Sequence, residues 1–261
     1  MKQISLLFLF ILSLLAGCSG LEKSEKKKVR ARNLTVRPVQ RQSDEILFPQ
    51  ANHRPKKRAP YPWEQKRVGG HPRITKEFFR CQGNLLNPPI QIHRQTDLIY
   101  HLDCAGVEGH SLPLKNGQEF IYPILIDLLN HVQENTRKKV VITCGHRCPI
   151  HNLYADPSKA ATTSKHLIGA EVDFYVEGLE LNPQAVIQTL LSYYDTPLKE
   201  LSPTSWQNRE VIITLFHETE GRDFDNTHPY PYISIQVCYD RDTHRPVQYN
   251  WHYAHNGFIK R

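Results

Sequence analysis

One stretch, residues 140–176, constrains the fold of this chain more than any other. It opens with the β-branched run at residues 140–143, which predicts a short buried strand. It closes at residues 170–176, where apolar and polar residues alternate as on a strand with one buried face. Between the two lies a loop rich in cysteine, histidine, proline, serine and threonine. The sequence therefore predicts two strands joined by a loop that carries reactive side chains.

Two residues of this stretch, His166 in the loop and Asp173 in the second strand, are of types that bind zinc. Zinc takes imidazole nitrogen and carboxylate oxygen, and a catalytic site uses three protein ligands and leaves one position for water. Gly169 lies between them and would let the backbone turn. On spacing alone, a loop histidine and a solvated aspartate are the more common case.

The segment SKHLIGAEVDF resembles the S-x-H-x-x-G-x-A-x-D signature of the LAS zinc peptidases. That family holds D-alanyl-D-alanine carboxypeptidases, murein endopeptidases and the hedgehog signalling domain. The upstream segment ITCGHRCPIHN is similar to the I-T-S-G-Y-R-S-x-x-H-N segment that precedes the signature in many bacterial members. The resemblance covers roughly residues 76–261. It implies a hedgehog/DD-peptidase-like fold and a zinc metallopeptidase that hydrolyses peptide bonds in peptidoglycan, as a DD- or LD-carboxypeptidase or endopeptidase.

The resemblance also assigns roles to individual residues. His166 and Asp173 would be zinc ligands, and Ser164 and Arg147 would bind substrate. Arg147 would also be catalytic, because a guanidinium stays charged and forks onto a carboxylate or a developing oxyanion.

The third zinc ligand has two candidate positions. Residues 250–253 resemble the E-x-W-H-F/Y ending of the carboxypeptidase branch, which nominates His252 in a strand predicted at 247–253. Residues 232–237 resemble the V-H-V-D-V strand of other branches, and there Ser234 would replace the histidine. His217 and His228 are further histidines in the same part of the chain.

The general base departs from the family pattern. Tyr249 stands where the carboxypeptidase branch has glutamate, and a phenol with a pKa near 10 is a poor proton acceptor at neutral pH. Glu218 could supply the carboxylate that acts as the base. The alternative is that Glu218 is an ordinary solvated loop residue. Glu171 replaces the alanine of the signature. A second class of function is therefore a catalytically degenerate member that binds wall peptide without cutting it.

The amino terminus has the pattern of an export signal. Lys2, an apolar run and small residues before Cys18 predict a secretory signal peptide over residues 1–18. The ending L-A-G-C resembles a bacterial lipobox, which implies lipidation of Cys18. A membrane-spanning anchor is the alternative, but the apolar run is shorter than the ~20 residues it needs. With Ser19 next, the lipoprotein pattern implies a cell-envelope protein on the periplasmic face of the outer membrane.

Residues 19–75 differ from the rest in composition. They hold 15 lysines and arginines against 5 acidic residues, whereas the whole chain has a net charge of only +7. The pattern predicts a basic disordered tether that suits anionic lipid or wall polymer, with a passive spacer as the alternative. We expect no nucleic-acid partner for an exported chain.

Residues 76–261 are enough for one domain. An apolar stripe at residues 121–132 predicts a helix, and Asn182-Pro183 starts another. Further strands are predicted at Val211–Phe216, 232–238 and 247–253, which gives an α+β fold with an antiparallel sheet and flanking helices. Five cysteines remain beyond Cys18. Cys81–Cys104 and Cys144–Cys148 are candidate disulfides, and the latter pair could instead bind a metal.

Overall fold

The computed structural model of the protein describes residues 66–94, 97–158, 162–217 and 223–261. The described helices are α1 (Pro123–Thr136), α2 (Pro149–Ala155), α3 (Pro183–Leu191) and α4 (Trp251–Asn256). Short 3-10 helices lie at Lys76–Phe79, Gly106–Glu108, Lys165–Ile168 and Phe224–Asn226. The described strands are β1 (Arg67–Val68), β2 (His71–Pro72), β3 (Ile90–Arg94), β4 (Asp97–His101), β5 (Leu114–Lys115), β6 (Gln118–Glu119), β7 (Val140–Cys144), β8 (Glu171–Val176), β9 (Lys199–Ser202), β10 (Ser205–Gln207), β11 (Val211–Phe216), β12 (Tyr232–Val237), β13 (Tyr239–Asp240) and β14 (Arg245–Pro246).

A six-stranded antiparallel sheet, in the order β7-β8-β12-β11-β10-β9, forms the centre of the fold. The other described strands pair as short hairpins outside it. Helices together with antiparallel sheets confirm the predicted α+β class. The two strands at the ends of the 140–176 stretch, β7 and β8, are direct neighbours in this sheet.

Helix α1 packs its apolar stripe on the sheet, as its periodicity predicts. Pro123 occupies its first turn, where a missing N–H costs nothing, and the helix ends at Arg137, which has a left-handed φ of 54°. Its buried residues recur at helical spacing: Ile124, Leu125, Leu128, Leu129 and Val132. Helix α1 also packs against α3. The core therefore lies between these two helices and one face of the sheet.

The folded part begins earlier than the predicted boundary at residues 75/76. Strands β1 and β2 form a hairpin, and Ile74 after it is only 1% exposed within the core. Asn130 of α1 holds Ile74 on both sides: its Oδ1 accepts from the Ile74 N–H at 3.0 Å, and its Nδ2 donates to the Ile74 carbonyl at 2.9 Å. The basic composition of this segment predicts a tether. Composition does not show that a single residue of the segment, Ile74, is deeply buried.

The strand predicted at residues 247–253 is wrong. Residues 247–250 form no strand, and helix α4 follows, with the Asn250 side chain accepting from the Tyr253 N–H at 2.9 Å. This cap satisfies a free N–H of the first turn and starts the helix. Only Ala254 of α4 is buried. The second half of the predicted strand is therefore the beginning of a small capped surface helix.

Gly169 turns the chain between His166 and β8, with φ 68°. We expect Gly169→Ala to lower the free energy of unfolding by about 2 kcal/mol, because a left-handed residue with a Cβ costs about 1–2 kcal/mol and the new Cβ would meet Ile121 Cδ1 at 3.0 Å. Gly117→Ala is the matched control, since Gly117 has φ 76° and open space around it. Urea unfolding of both variants measures the difference. Equal losses would show that the contact with Ile121 contributes nothing.

No helix among the described residues has both the length and the apolar character needed to cross a membrane. Cys18 and Glu218 lie outside the described residues.

Candidate metal centre

Strand β8 presents two carboxylates on one face. Val172 and Phe174 point into the core, so the alternation of the strand puts Glu171 and Asp173 on the opposite face. Both acidic residues are nevertheless buried, at 7% and 4% exposure.

The neighbouring strand β12 adds polar side chains to the same face. Ser234 lies opposite Asp173, and Gln236 lies opposite Glu171. Glu171 Oε1 accepts from Gln236 Nε2 at 2.6 Å and from Ser234 Oγ at 3.2 Å. The other carboxylate oxygen, Oε2, is thereby turned towards His166.

One ring nitrogen of His166, Nε2, faces these carboxylates. Ser164 begins its 3-10 helix, because the Ser164 Oγ accepts from the His166 N–H at 3.2 Å. His166 Nδ1 lies 2.7 Å from the carbonyl oxygen of Gly145, and since a carbonyl can only accept, Nδ1 carries a proton. Nε2 then points at Asp173 Oδ2, 3.4 Å away, and at Glu171 Oε2, 3.7 Å away.

These distances fit a metal ion. Two ligand atoms bound to a tetrahedral zinc at about 2.0–2.1 Å lie about 3.4 Å apart. Metal-binding histidines also donate the second ring N–H to a carbonyl or carboxylate, as His166 does to Gly145. His166 Nε2 and Asp173 Oδ2 therefore have the separation of two ligands of one zinc ion, and Glu171 Oε2 lies 3.7 Å from the same nitrogen.

The electrostatics of the site favour a cation beside the two carboxylates. Burial alone would lower the pKa of His166, but the charges of Glu171 and Asp173 raise that pKa to about 9. Burial raises the pKa of Asp173, yet His166 and Arg147 bring it below its usual value. Asn226 Nδ2 donates to Asp173 Oδ2 at 2.9 Å and supports the ionised form. Either a proton on His166 or a metal ion at its Nε2 would supply the positive charge that the two carboxylates favour.

Arg147 does not present a free guanidinium to this site. It is 3% exposed, and its Nε and Nη2 donate to Asp225 Oδ2 and Asp223 Oδ2, each at 2.6 Å. Its backbone N–H also donates to the His166 carbonyl at 3.3 Å. Arg147 thus joins the loop before α2 to the loop that carries Asp223 and to the turn of His166.

A second buried histidine extends this network away from His166. His151 Nε2 lies 3.0 Å from Asp225 Oδ1, and His151 Nδ1 lies 2.6 Å from Asp103 Oδ1. Although burial lowers it, the two carboxylates raise the pKa of His151 to about 10. His151 is therefore positively charged at neutral pH and balances Asp103 and Asp225.

The described cysteines are all free, and neither predicted disulfide is present. Cys144 Sγ lies 3.3 Å from His166 Nδ1, on the side of the ring away from Nε2, and burial raises its pKa. Cys144 Sγ, one His166 nitrogen and an Asp173 oxygen all lie within 4.8 Å of one another. Nδ1 already donates to the Gly145 carbonyl. Cys144 therefore contacts the ring at Nδ1 and not at Nε2, the nitrogen that faces Asp173 and Glu171.

The structure brings His166, Asp173 and Ser164 together but not His252. His252 is exposed on α4, where its Nδ1 lies 3.4 Å from the Asn256 amide. Ser234, opposite Asp173, occupies the position that the second alignment gave to the missing ligand. His228 lies in a group of aromatic rings with Tyr175 and Tyr230. The Tyr249 side chain packs against the main core.

Glu171 is the site residue that sequence reasoning missed. In the sequence analysis it is only the residue that replaces the signature alanine. Its position two residues before Asp173 was the available signal, because residues i and i+2 of a strand share a face.

Comparisons of the chain with protein-family models, curated proteins and solved structures found no match.

Proposed function

We propose that the chain is a zinc metallopeptidase that hydrolyses peptide bonds in peptidoglycan, on a hedgehog/DD-peptidase-like fold. The observation that carries the proposal is the orientation of His166, whose Nδ1 is committed to Gly145 while its Nε2 faces Asp173 and Glu171 at 3.4 and 3.7 Å. The SKHLIGAEVDF resemblance supplies the reaction and the substrate class.

In this proposal His166, Asp173 and Glu171 are the three protein ligands, and Glu171 takes the place expected for His252. Zinc, when bound, supplies a Lewis acid and lowers the pKa of a bound water to about 7. Gly145 orients the His166 ring, and Gln236 and Ser234 orient the carboxylate of Glu171. Ser164 positions His166 through the N–H that its hydroxyl accepts. Glu218 remains the proposed proton acceptor.

Arg147 acts in this proposal by positioning, not by binding the substrate carboxylate. Its Nε and Nη2 already donate to Asp225 and Asp223, so binding substrate would break a buried ion pair. Through its backbone it holds the carbonyl of His166.

We further propose that the chain is anchored in the cell envelope by a lipid on Cys18, at the periplasmic face of the outer membrane. This part rests on the L-A-G-C pattern and on the basic composition of the segment that follows. A lipid-anchored domain would meet peptidoglycan as its partner, and no nucleic acid.

A binding protein without activity is the second candidate. It is favoured by the burial of all three donor residues, none of which is more than 7% exposed, and by the paired state of Arg147. The full chain should distinguish the two when it is incubated with muropeptides, with and without a chelator and added zinc. Zinc-dependent cleavage supports the peptidase, whereas zinc-independent retention of muropeptides without cleavage supports the binding protein.

Glu171→Gln tests the new member of the donor set. The substitution keeps the size of the side chain but removes the charge, so we expect zinc affinity at this site to fall at least about tenfold. Glu177→Gln is the matched control, since the Glu177 side chain is 58% exposed and pairs with Lys139 on the surface. Competition with a chromophoric chelator measures both. Unchanged zinc affinity in Glu171→Gln would remove Glu171 from the site.

A further inference from the structure

A second group of metal-binding side chains lies apart from the His166 donor set. Its ligand atoms, from four buried residues, all lie within 4.8 Å of one another: Cys81, Cys104, His110 and Cys148. Cys81 Sγ and Cys104 Sγ are 3.7 Å apart, and Cys104 Sγ is 3.6 Å from His110 Nε2. Ligands of a tetrahedral zinc, with bonds of about 2.3 Å to sulfur and 2.0–2.1 Å to nitrogen, lie about 3.8 Å (S to S) and 3.6 Å (S to N) apart.

From this geometry we infer that the protein has a structural Cys3His zinc centre formed by Cys81, Cys104, His110 and Cys148. Four protein ligands fill a tetrahedral zinc and leave no position for water, which makes the centre structural and not catalytic. Three thiolate ligands favour zinc over magnesium or calcium. The inference does not depend on the proposed peptidase activity.

The surroundings of the four side chains fit a bound metal. His110 Nδ1 lies 2.9 Å from the Ser111 carbonyl, to which it donates, so Nε2 is the nitrogen left for a metal. Backbone N–H groups point at two of the sulfurs: Gly106 N lies 3.2 Å from Cys104 Sγ, and His151 N lies 3.4 Å from Cys148 Sγ. Such donors stabilise the thiolates that zinc binding creates when each thiol releases its proton.

Glycines let the backbone close around the centre. A Cβ at Gly83 would lie 2.2 Å from Cys104 Sγ, so only glycine allows the chain to pass this sulfur. Gly106, with φ 58°, has the Gly83 carbonyl 2.3 Å from the position of a Cβ. The disulfide predicted for Cys81 and Cys104 is the competing use of these residues, and their 3.7 Å separation is far beyond the S–S bond of about 2.05 Å.

The centre would fasten chain segments that have little apolar core of their own. It joins the loops around Cys81 and Cys104 to the start of α2 at Cys148. Ser111, next to His110, accepts from and donates to Ile259, and the Phe258 side chain packs on the cysteines. Cys148 ends the short run that begins at Cys144 and includes Gly145, the acceptor for His166. Zinc at this centre would therefore also position the His166 site.

X-ray absorption at the zinc edge of the full chain tests the inference. In the His166→Ala variant, which lacks the central histidine of the other donor set, we expect about one zinc per chain. Its shell should hold three sulfurs at about 2.3 Å and one nitrogen at about 2.0–2.1 Å. A shell of nitrogen and oxygen alone, no bound zinc, or a Cys81–Cys104 disulfide found by mass spectrometry of protein isolated from its own cells would overturn it.

Two serine variants separate the centre from general effects of cysteine loss. Cys148→Ser should lose the sulfur-bound zinc, or fail to fold unless excess zinc is present. Cys238→Ser should keep it, because Cys238 lies outside the group, with its sulfur 3.9 Å from Lys165 Nζ. Retention of the same three-sulfur shell in Cys148→Ser would also overturn the assignment.

Discussion

His166→Ala should reduce zinc-dependent cleavage of muropeptides to the level of the uncatalysed reaction. The substitution removes the nitrogen that faces Asp173 and Glu171, and it leaves those two buried carboxylates without the positive charge of a metal or of the imidazolium. Metal-ion catalysis contributes several kcal/mol of transition-state stabilisation, so we expect a loss of at least about 10³-fold in kcat/KM. Cleavage of purified muropeptides, followed chromatographically at saturating zinc, measures the effect.

The His252→Ala variant tests whether His252 also binds the zinc. The resemblance names both histidines as ligands, whereas the structure places His166 in a buried group with Asp173 and Cys144 and leaves His252 exposed on α4. We therefore expect His252→Ala to keep the zinc that His166→Ala loses. Loss of that zinc in His252→Ala would mean that the end of the chain reaches the metal in solution and that Glu171 is not the third ligand. Full activity in His166→Ala would show that the His166 site is not the catalytic centre, and absence of cleavage in the wild type would remove the peptidase proposal.

Arg147→Met should destabilise the protein by about 3–5 kcal/mol, the usual cost of removing one partner from a buried ion pair. Arg147 is 3% exposed and neutralises two carboxylates, Asp223 and Asp225. Methionine keeps much of the volume and leaves both acids buried with no guanidinium beside them. Urea unfolding at neutral pH measures the loss.

The control is Arg137→Met. The Arg137 side chain is 69% exposed and pairs with Glu134 at 3.2 Å, and such surface pairs contribute about 0–1 kcal/mol. An effect of Arg147→Met as small as that of the control would contradict the positioning role. It would leave the role in substrate binding that the resemblance implies, and this would appear as a rise in KM at unchanged stability.

The pH dependence of the Arg147→Met effect has a definite sign. Arg147 lowers the pKa of Asp225 below the ordinary 3.8 even though burial alone would raise it, so the folded wild type gains stability above that value and loses it as the pH falls. Without Arg147, both carboxyl groups should bind protons more readily in the folded state. The difference in unfolding free energy between wild type and variant should therefore narrow as the pH falls through about 4.

The regular elements with strong periodicity follow from the sequence alone. The stripe of α1, the β-branched run of β7 and the strand β11 are each set by residues close to one another in the chain, so local pattern predicts them. The α+β class follows from their order. The six residues of helix α4 have only one buried residue, Ala254, and so carry too little periodicity to distinguish a helix from a strand. The Asn250 cap is what starts the helix.

The donor sets needed the tertiary structure. His166 and Asp173 could be paired from one segment, but the contribution of Glu171 depends on which way β8 faces, and the core packing of Val172 and Phe174 decides that. Arg147 could be located by resemblance, yet only the folded loop at Asp223 and Asp225 shows that its charge is already neutralised. Cys81, Cys104, His110 and Cys148 come from loops without periodicity and from the start of a short helix. Their convergence depends on long-range backbone contacts such as the Phe79 carbonyl accepting from the His146 N–H at 2.7 Å, which no local sequence pattern encodes.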